Sequence, residues 1–339
     1  RVATVYIKKS TTYKLYRLFI KQIYDWCTAQ NCKLTGHMMN EQSLAMQMQS
    51  TCGVMPCYEY FHEPGIDWLM RGIGGPLVPK QLGSVARQLG KPTITESFGL
   101  SGWDVSLNEL KWMAQWQLVN GVTSFCYHLA AYSLRGYRKR DYPPSFIHLP
   151  WFDKANIKLS GYLCKMGGIL DNGEDVAPLL VIHPLQSVYL LKNPAGVDPM
   201  YEYDRKFECI TRELNHAHIL HHYGDEAIIS HHGKALGDTV QVGLCNYKAV
   251  LLPELLTLTD NTARLLTEFA ENGGKIYSLG EPPALINGRR DERAKRLASF
   301  SERVENAQEL KARLSFPELA AVTTDCDENG NIEYCCRIM

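Results

Sequence analysis

Helix-like and strand-like patterns of apolar residues alternate along the first half of the chain. Apolar and aromatic residues recur every three or four positions across residues 11–29, which predicts a helix with one buried face. The patterns that follow predict strands at residues 33–38, 54–60, 92–98 and 122–127, and helices at residues 41–49, 79–89 and 107–119. Strict alternation without hairpin signals is typical of a parallel sheet covered by helices.

A second α/β pattern follows a charged, proline-containing loop at residues 135–150. The sequence predicts a helix at residues 157–170, then strands at 177–183, 247–252 and 275–279 and helices at 207–218 and 261–271. The first of these strands is a nearly uninterrupted apolar run, as buried parallel strands are. We therefore expect an open, doubly wound sheet here. This part contains no G-x-G-x-x-G or P-loop sequence, so we expect no cofactor.

These patterns divide the chain into three predicted parts. Residues 1–170 are expected to form the C-terminal half of a (β/α)8 TIM-like barrel, with strands five to eight present and strands one to four upstream of Arg1. Residues 171–290 are expected to form the doubly wound α/β domain. Residues 291–339 are expected to be a linker, helical to about residue 314, and the start of a truncated β domain. A hairpin-turn signal at residues 327–331, followed by strand-like residues 332–336, predicts that β domain.

Composition narrows the classes of partner. The 339 residues include 36 basic and 36 acidic ones, a formal net charge of zero, which argues against a nucleic-acid or membrane-surface binder. A neutral sugar is an easier partner to accommodate. The apolar runs are too short to span a bilayer, and no basic-then-apolar leader opens the chain. Eleven scattered cysteines fit a reduced compartment. We expect a cytoplasmic protein and leave homo-oligomerisation open.

Polar residues gather at the predicted strand ends, where a barrel places its catalytic residues. In chain order they are His37, Glu41, Glu59, His62, Glu63, Asp67, Glu96, His128 and Tyr132. Between residues 58 and 68 the acidic residues are interleaved with aromatic ones, which suits carbohydrate binding because aromatic faces stack on sugar rings while carboxylates bind hydroxyls. A structured loop with surface charges explains that segment equally well.

Glu96 is the strongest candidate for catalysis. Hydrolysis of a glycosidic bond uses two carboxyl groups, one to protonate the leaving oxygen and one to attack or to activate water. Glu96 ends the predicted strand at residues 92–98, and Trp103 and Asp104 follow as an aromatic platform and a hydrogen-bonding group for a sugar. Glu41 is either the second carboxylate or a residue that stabilises the first turn of a helix. His37, after Gly36, is better suited to bind a sugar hydroxyl than to act as a base.

Several histidines in the second half raise the question of a metal site. They are His216, His218, His221, His222, His231 and His232, with Asp225 and Glu226 nearby. The segment lacks an H-E-x-x-H pattern and a cysteine partner. We interpret these histidines as solvent-facing residues on a helix and loop, and expect no metal.

Two segments of the chain each resemble part of a known protein family. Residues 34–37 (LTGH) with Glu41, residues 64–67 (PGID), residues 95–99 (TESFG) and the loop at 132–144 together resemble glycoside hydrolase family 106, the α-L-rhamnosidases. Residues 175–280 resemble the flavodoxin-like, class I amidotransferase-like domain that follows the barrel in family 42 β-galactosidases. The resemblance implies that Glu96 is the nucleophile or base on barrel strand seven. It also implies an acid on strand four, upstream of Arg1, unless Glu41 is the acid.

Three hypotheses of function follow. The first is a glycoside hydrolase with a two-carboxylate mechanism, possible substrates including α-L-rhamnosides. The second is a non-catalytic carbohydrate-binding or scaffolding fragment of a larger glycosidase. The third, an amidotransferase-like enzyme, needs a cysteine at a sharp strand-to-helix turn, and neither Cys209 nor Cys245 lies in such a sequence.

Overall fold

The computed structural model describes residues 10–191, 199–316 and 333–338. A π-helical segment, Lys14–Ile20, continues into helix α1 (Lys21–Ala29). The further helices are α2 (Leu44–Gln47), α3 (Met55–Tyr58), α4 (Leu77–Leu89), α5 (Leu107–Val119), α6 (Phe152–Asp171), α7 (Leu185–Leu191), α8 (Met200–His216), α9 (Glu226–His232), α10 (Asp260–Glu271), α11 (Glu292–Phe300) and α12 (Ala307–Arg313). No helix within the described ranges is both long and apolar enough to cross a membrane.

The strands belong to two parallel sheets and three small ones. They are β1 (Thr35–Gly36), β2 (Glu63–Trp68), β3 (Ile94–Ser97), β4 (Ser124–Tyr127), β5 (Glu174–Asp175), β6 (Leu179–Ile182), β7 (His221–Gly224), β8 (Gly233–Leu236), β9 (Thr239–Val242), β10 (Cys245–Tyr247), β11 (Ala249–Pro253), β12 (Thr257–Leu258), β13 (Lys275–Leu279), β14 (Leu285–Ile286), β15 (Arg289–Arg290), β16 (Ser301–Val304) and β17 (Arg337–Ile338). The architecture is therefore mixed α/β, as the sequence predicts.

The first sheet contains β1 to β4 in chain order, and all its pairings are parallel. Helices α2 and α3 connect β1 to β2, α4 connects β2 to β3, and α5 connects β3 to β4. This confirms the predicted alternation. Helix α5 has the predicted bounds because both its ends are specified locally: Ser106 and Glu109 form a capping box, and Asn120-Gly121 follows its last turn.

The strand predicted at residues 54–60 is wrong. Helix α3 occupies this segment, with Pro56 in its first turn, and the strand begins only at Glu63. Val54, Met55 and Tyr58 are all fully buried. Because the segment is buried on every side, its apolar residues show no helical period, and a run of this kind cannot be distinguished from a buried strand.

The second sheet contains five parallel strands in the order β7-β6-β11-β13-β16. Numbered along the chain, this order is 2-1-3-4-5. Strand β16 lies beyond residue 290 and pairs with β13, so the sheet continues into the segment for which the sequence predicts only a helical linker. The predicted turn at residues 327–331 lies outside the described residues. Strand β17 pairs antiparallel with β5.

Helix α4 joins the two parallel sheets by covering the edge strand β7. The Ser84 hydroxyl accepts a hydrogen bond from the Tyr223 backbone N–H at 2.8 Å, and the Gln88 amide donates to the Tyr223 carbonyl at 3.0 Å. These bonds satisfy backbone groups that an edge strand would otherwise leave unpaired. One continuous apolar core extends from α2, α3 and α4 into the five-stranded sheet.

Gly243 contacts the C-terminal turn of α4 so closely that we expect no other residue to be accommodated. Its φ is +57°, a Cβ atom would collide with the Gln88 carbonyl oxygen, and the next backbone N–H, of Leu244, donates to that oxygen at 2.8 Å. We predict that Gly243→Ala lowers the free energy of unfolding by at least about 2 kcal/mol, about half from the left-handed backbone and half from the collision.

A matched control separates these two contributions. Gly237 has a φ of +62° and open space around its Cβ position, so Gly237→Ala should cost only about 1 kcal/mol. Urea denaturation of both variants measures the difference. Equal losses would show that the contact with Gln88 contributes nothing.

Candidate active site

The site lies at the C-terminal edge of the four-stranded sheet. Asp67 of β2, Glu96 of β3 and Cys126 of β4 are paired in register. Residues paired in this way point to the same face of a sheet, and neighbouring residues along a strand point to opposite faces. The side chains of Thr95 and Ser97 are fully buried and bond the Gln117 amide of α5. Glu96 therefore points away from α5, on the same face as Asp67.

Two histidines from other strand ends flank Glu96. His37, directly after β1, places Nε2 3.1 Å from Glu96 Oε2, and His128, directly after β4, places Nε2 4.0 Å from Oε1. The His128 backbone N–H donates to the Ser97 carbonyl at 2.9 Å, which fixes the position of this residue relative to β3. The Glu96 side chain is 35% exposed, so a ligand can reach its carboxylate.

The Asp67 carboxylate lies close to Glu96 at this edge. One ligating atom from each of His37, Asp67 and Glu96 lies within 4.8 Å of the other two. Burial raises the pKa of Asp67, and the Glu96 carboxylate raises it further, while His37 and His128 oppose the shift. Its Oδ1 is buried and has no hydrogen-bond partner in the part of the chain that the structure describes. The three side chains could also hold a divalent cation.

Glu41 lies beneath this edge and is only 1% exposed. Oε1 accepts hydrogen bonds from the Met38 N–H at 3.0 Å and the Tyr58 hydroxyl at 2.8 Å, and Oε2 accepts from the Asp67 N–H at 3.1 Å. Burial raises the pKa of Glu41 to about 7, although these donors oppose the shift. Glu41 thus holds the backbone on which His37 and Asp67 sit.

His37 is surrounded by carboxylates. Burial lowers its pKa, but a hydrogen bond to the Met38 carbonyl and the charges of Glu41, Asp67 and Glu96 outweigh burial, so the net pKa is raised. The cationic imidazole is therefore favoured beside Glu96. This electrostatic role adds to the hydroxyl-binding role predicted from the sequence.

The turn after β3 is constrained on both sides. Phe98 has a φ of +75° although it is bulky and fully buried, a conformation that costs energy and is common near functional sites. At Gly99 a Cβ atom would lie 2.8 Å from His128 Nδ1. A side chain at position 99 would therefore displace the His128 ring.

The remaining residues predicted from the barrel loops lie in the segments that follow β3 and β4. Trp103 is 41% exposed, in the loop between β3 and α5, and Tyr132 is 99% exposed, in the loop after β4. Asp104 pairs with Arg71 at 2.9 Å, and Arg71 also pairs with Glu109. Both aromatic side chains are therefore accessible from solvent.

The structure does not bring Glu59, His62 and Glu63 to this site. They precede or begin β2, so they lie at the opposite, N-terminal end of the sheet from Asp67. Glu59 binds His231 and His232, His62 Nδ1 accepts from the Leu34 N–H, and Glu63 pairs with Thr35. The prediction failed for these three residues because it placed the second strand nine residues too early.

Tyr58 is a residue of the site that the sequence analysis missed. Its hydroxyl binds Glu41, and it lies in the segment that was predicted as a strand. The prediction that the histidines of the second half face solvent is wrong for His221 and His222, which are buried in β7, whereas His216 and His231 are exposed as predicted. The burial of His221 and His222 has a signal in the sequence, because they lie between the apolar pair Ile219-Leu220 and Tyr223, in a short run of the kind that forms a buried strand.

Comparison with known proteins identifies the fold. A scan of protein-family models gives no match, and a search of curated proteins gives none. Among solved structures, the chain is similar to a rhamnosidase from Novosphingobium sp. PP1Y, with a TM-score of 0.64 and 15% identity over 89% of this chain and 30% of that one.

Two further structures show the same likeness. The β-galactosidase Gan42B of glycoside hydrolase family 42 from G. stearothermophilus, solved as a catalytic mutant, has a TM-score of 0.58 and 12% identity over 84% of this chain and 42% of that one. An exo-carrageenase of the same family from Bacteroides ovatus has a TM-score of 0.56 and 12% identity over 89% and 44%. The chain thus shares a fold with part of these glycoside hydrolases and spans 30% to 44% of their lengths.

Proposed function

We propose that the chain is the C-terminal half of a (β/α)8 barrel followed by a flavodoxin-like domain. Four parallel strands in chain order, each separated by helices, are what half of such a barrel contains. Among the described residues β4 is an edge strand of this sheet, and a groove of about 400 Å³ between β4 and α6, lined by Phe125 and Tyr127, leaves room beside it. The strand order 2-1-3-4-5 of the second sheet supports the flavodoxin-like assignment.

We further propose that the protein is a glycoside hydrolase. The observation that carries this proposal is the convergence of Glu96, Asp67, His37 and His128 at the carboxyl edge of one parallel sheet. Two adjacent carboxyl groups are the chemical requirement for cleaving a glycosidic bond. The exposed rings of Trp103 and Tyr132 provide surfaces on which sugar rings can stack.

In this mechanism Glu96 attacks the anomeric carbon or activates a water molecule, and Asp67 protonates the leaving oxygen. Asp67 suits the acid role because burial and the neighbouring Glu96 carboxylate raise its pKa. Glu41 is better suited to positioning, because all the contacts of its carboxylate are internal. One carboxyl oxygen of Asp67 lies within 4.8 Å of one of Glu96, which is closer to the separation of about 5–5.5 Å in retaining enzymes than to that of about 6.5–9.5 Å in inverting ones. The likeness to a rhamnosidase makes α-L-rhamnosides the first substrates to test.

The test compares aryl glycosides whose leaving groups differ in basicity. We expect the wild-type protein to hydrolyse both 2,4-dinitrophenyl and phenyl α-L-rhamnoside. A good leaving group needs no protonation, so Asp67→Asn should reduce kcat/KM, which reports the bond-breaking step, about 100-fold or more for the phenyl glycoside and much less for the dinitrophenyl glycoside.

Other outcomes discriminate between the hypotheses. Equal losses of kcat/KM on both glycosides would remove Asp67 from the acid role and point to an acid elsewhere. Saturation-transfer NMR that detects sugar binding without hydrolysis would favour the carbohydrate-binding function. If the protein neither binds nor hydrolyses rhamnosides and galactosides, the glycosidase proposal is overturned.

A further inference from the structure

Glu59, His231 and His232 form a compact cluster that connects the first and second halves of the chain. His231 Nδ1 lies 2.9 Å from Glu59 Oε2, and His232 Nε2 lies 3.0 Å from Glu59 Oε1. Glu59 follows α3 and precedes β2, whereas both histidines end α9. The cluster therefore joins segments that are more than 170 residues apart, at the end of the first sheet opposite to Glu96.

The convergence of the two rings is unusual for neighbouring residues of a helix. Consecutive side chains on a helix point about 100° apart and do not ordinarily meet the same partner. Here both rings reach one carboxylate, at the point where α9 ends and Gly233 begins β8. One ligating atom from each of the three residues lies within 4.8 Å of the other two. The backbone geometry thus already gathers three ligands around one point.

The Glu59 carboxylate binds the two imidazoles, and the nearby cations Lys91 and Arg17 bind other groups. The Glu59 side chain is only 12% exposed, and the hydrogen bonds with His231 and His232 lower its pKa against the effect of burial. The nearby Lys91 ammonium donates to the backbone carbonyls of Glu59 and Phe61, at 2.7 and 2.6 Å, rather than to the carboxylate. The Arg17 guanidinium bonds the Tyr60 hydroxyl.

We propose that Glu59, His231 and His232 bind a divalent transition-metal ion of the Zn²⁺ class. Two imidazoles and one carboxylate are a donor set that zinc uses in proteins, and imidazole disfavours Mg²⁺ and Ca²⁺. Each neutral ring binds the metal through the nitrogen that now faces Glu59 and carries its proton on the other nitrogen. His231 is partly exposed, so water can complete the coordination sphere.

The bound ion would act as a clamp between the two parts of the chain. It would link the loop before β2 to the end of α9 and add its binding free energy to the folded state. Because the cluster is remote from Glu96, metal binding does not depend on the proposed glycosidase activity. A protein that binds no metal but hydrolyses glycosides, or the reverse, therefore shows which of the two proposals has failed.

The test measures Zn²⁺ and Co²⁺ binding to the metal-free wild type and to single variants. We expect isothermal titration to give one fewer bound Zn²⁺, or at least a tenfold weaker Kd, in His232→Gln and in Glu59→Gln. His216→Gln changes an exposed histidine at the end of α8 and should bind as the wild type does. Zn²⁺ should also raise the Tm of the wild type and of His216→Gln, but not that of His232→Gln.

Co²⁺ spectra test the proposal without a variant, in case a substitution prevents folding. The described chain has exposed thiols, for example Cys32 and Cys209, which could bind metal by themselves. Tetrahedral cobalt bands without a thiolate charge-transfer band would support nitrogen and oxygen ligands. Thiolate bands alone, or equal Zn²⁺ stoichiometry and affinity in wild type and His232→Gln, would overturn the proposal.

Discussion

Replacing Glu96 by Gln is expected to reduce kcat for glycoside hydrolysis at least 10³-fold while changing KM only a few-fold. The amide has nearly the same shape as the carboxylate and can still contact His37, which lies 3.1 Å from Oε2. It can neither attack the anomeric carbon nor deprotonate water, so the loss falls on the chemical step. Steady-state kinetics on 2,4-dinitrophenyl α-L-rhamnoside measure it, because this substrate does not depend on the acid.

The control for Glu96→Gln is Glu202→Gln, which makes the same chemical change at an exposed glutamate of α8. It should leave kcat and KM unchanged. If Glu96→Gln keeps more than a tenth of the wild-type kcat while the protein hydrolyses its substrate, Glu96 is not the nucleophile or base. If Glu96→Gln instead loses sugar binding, the role of Glu96 is to position the substrate.

The sequence predicts those parts of this site that depend on local pattern. Glu96 is found because a short run of β-branched residues, Thr93, Ile94 and Thr95, leads into it before a loop, and because a parallel sheet of this kind places strand ends together. The bounds of α5 are found because Ser106 and Glu109 specify its start. In both cases the residues that determine the structure are within a few positions of each other.

The rest of the site depends on contacts between distant segments. His37 and Glu96 are 59 positions apart, and only the pairing of β1, β2 and β3 brings them together. Glu41 is as polar as Glu96 in the sequence, and its burial becomes evident only when Tyr58 and the Asp67 backbone surround it. The error at residues 54–60 has the same origin, because a segment buried on all sides carries no amphipathic period.

The second large effect is expected from Asp175→Asn in the interior of the other domain. Asp175 Oδ2 lies 2.8 Å from His222 Nε2, and their side chains are 20% and 6% exposed. Burial lowers the pKa of His222, but the hydrogen bond and charge of Asp175 contribute to raising it to about 9. At pH 6 the substitution should lower the free energy of unfolding by about 3–5 kcal/mol, because it leaves a buried imidazolium without its counter-charge.

The pH dependence of this loss identifies its cause. A histidine with a raised pKa contributes stability that is complete below its unfolded value of about 6.5 and is lost as the pH rises through about 9. Asp175, with a pKa lowered to about 2, contributes above about pH 4 and loses its contribution only in strong acid. The difference between wild type and Asp175→Asn should therefore be largest near pH 6 and much smaller at pH 9.5.

Urea denaturation at both pH values measures this difference, and an exposed pair provides the comparison. Glu281 pairs with Arg303 at 2.7 Å, with side chains 82% and 64% exposed. Glu281→Gln should therefore cost less than about 1 kcal/mol, with little change between pH 6 and 9.5. A loss for Asp175→Asn that is equal at the two pH values would contradict the ion-pair explanation and assign the effect to packing. Disrupting the buried pair is expected to lower the free energy of unfolding more than disrupting the exposed pair. The reason is desolvation: the charge that remains is buried and cannot be hydrated by water.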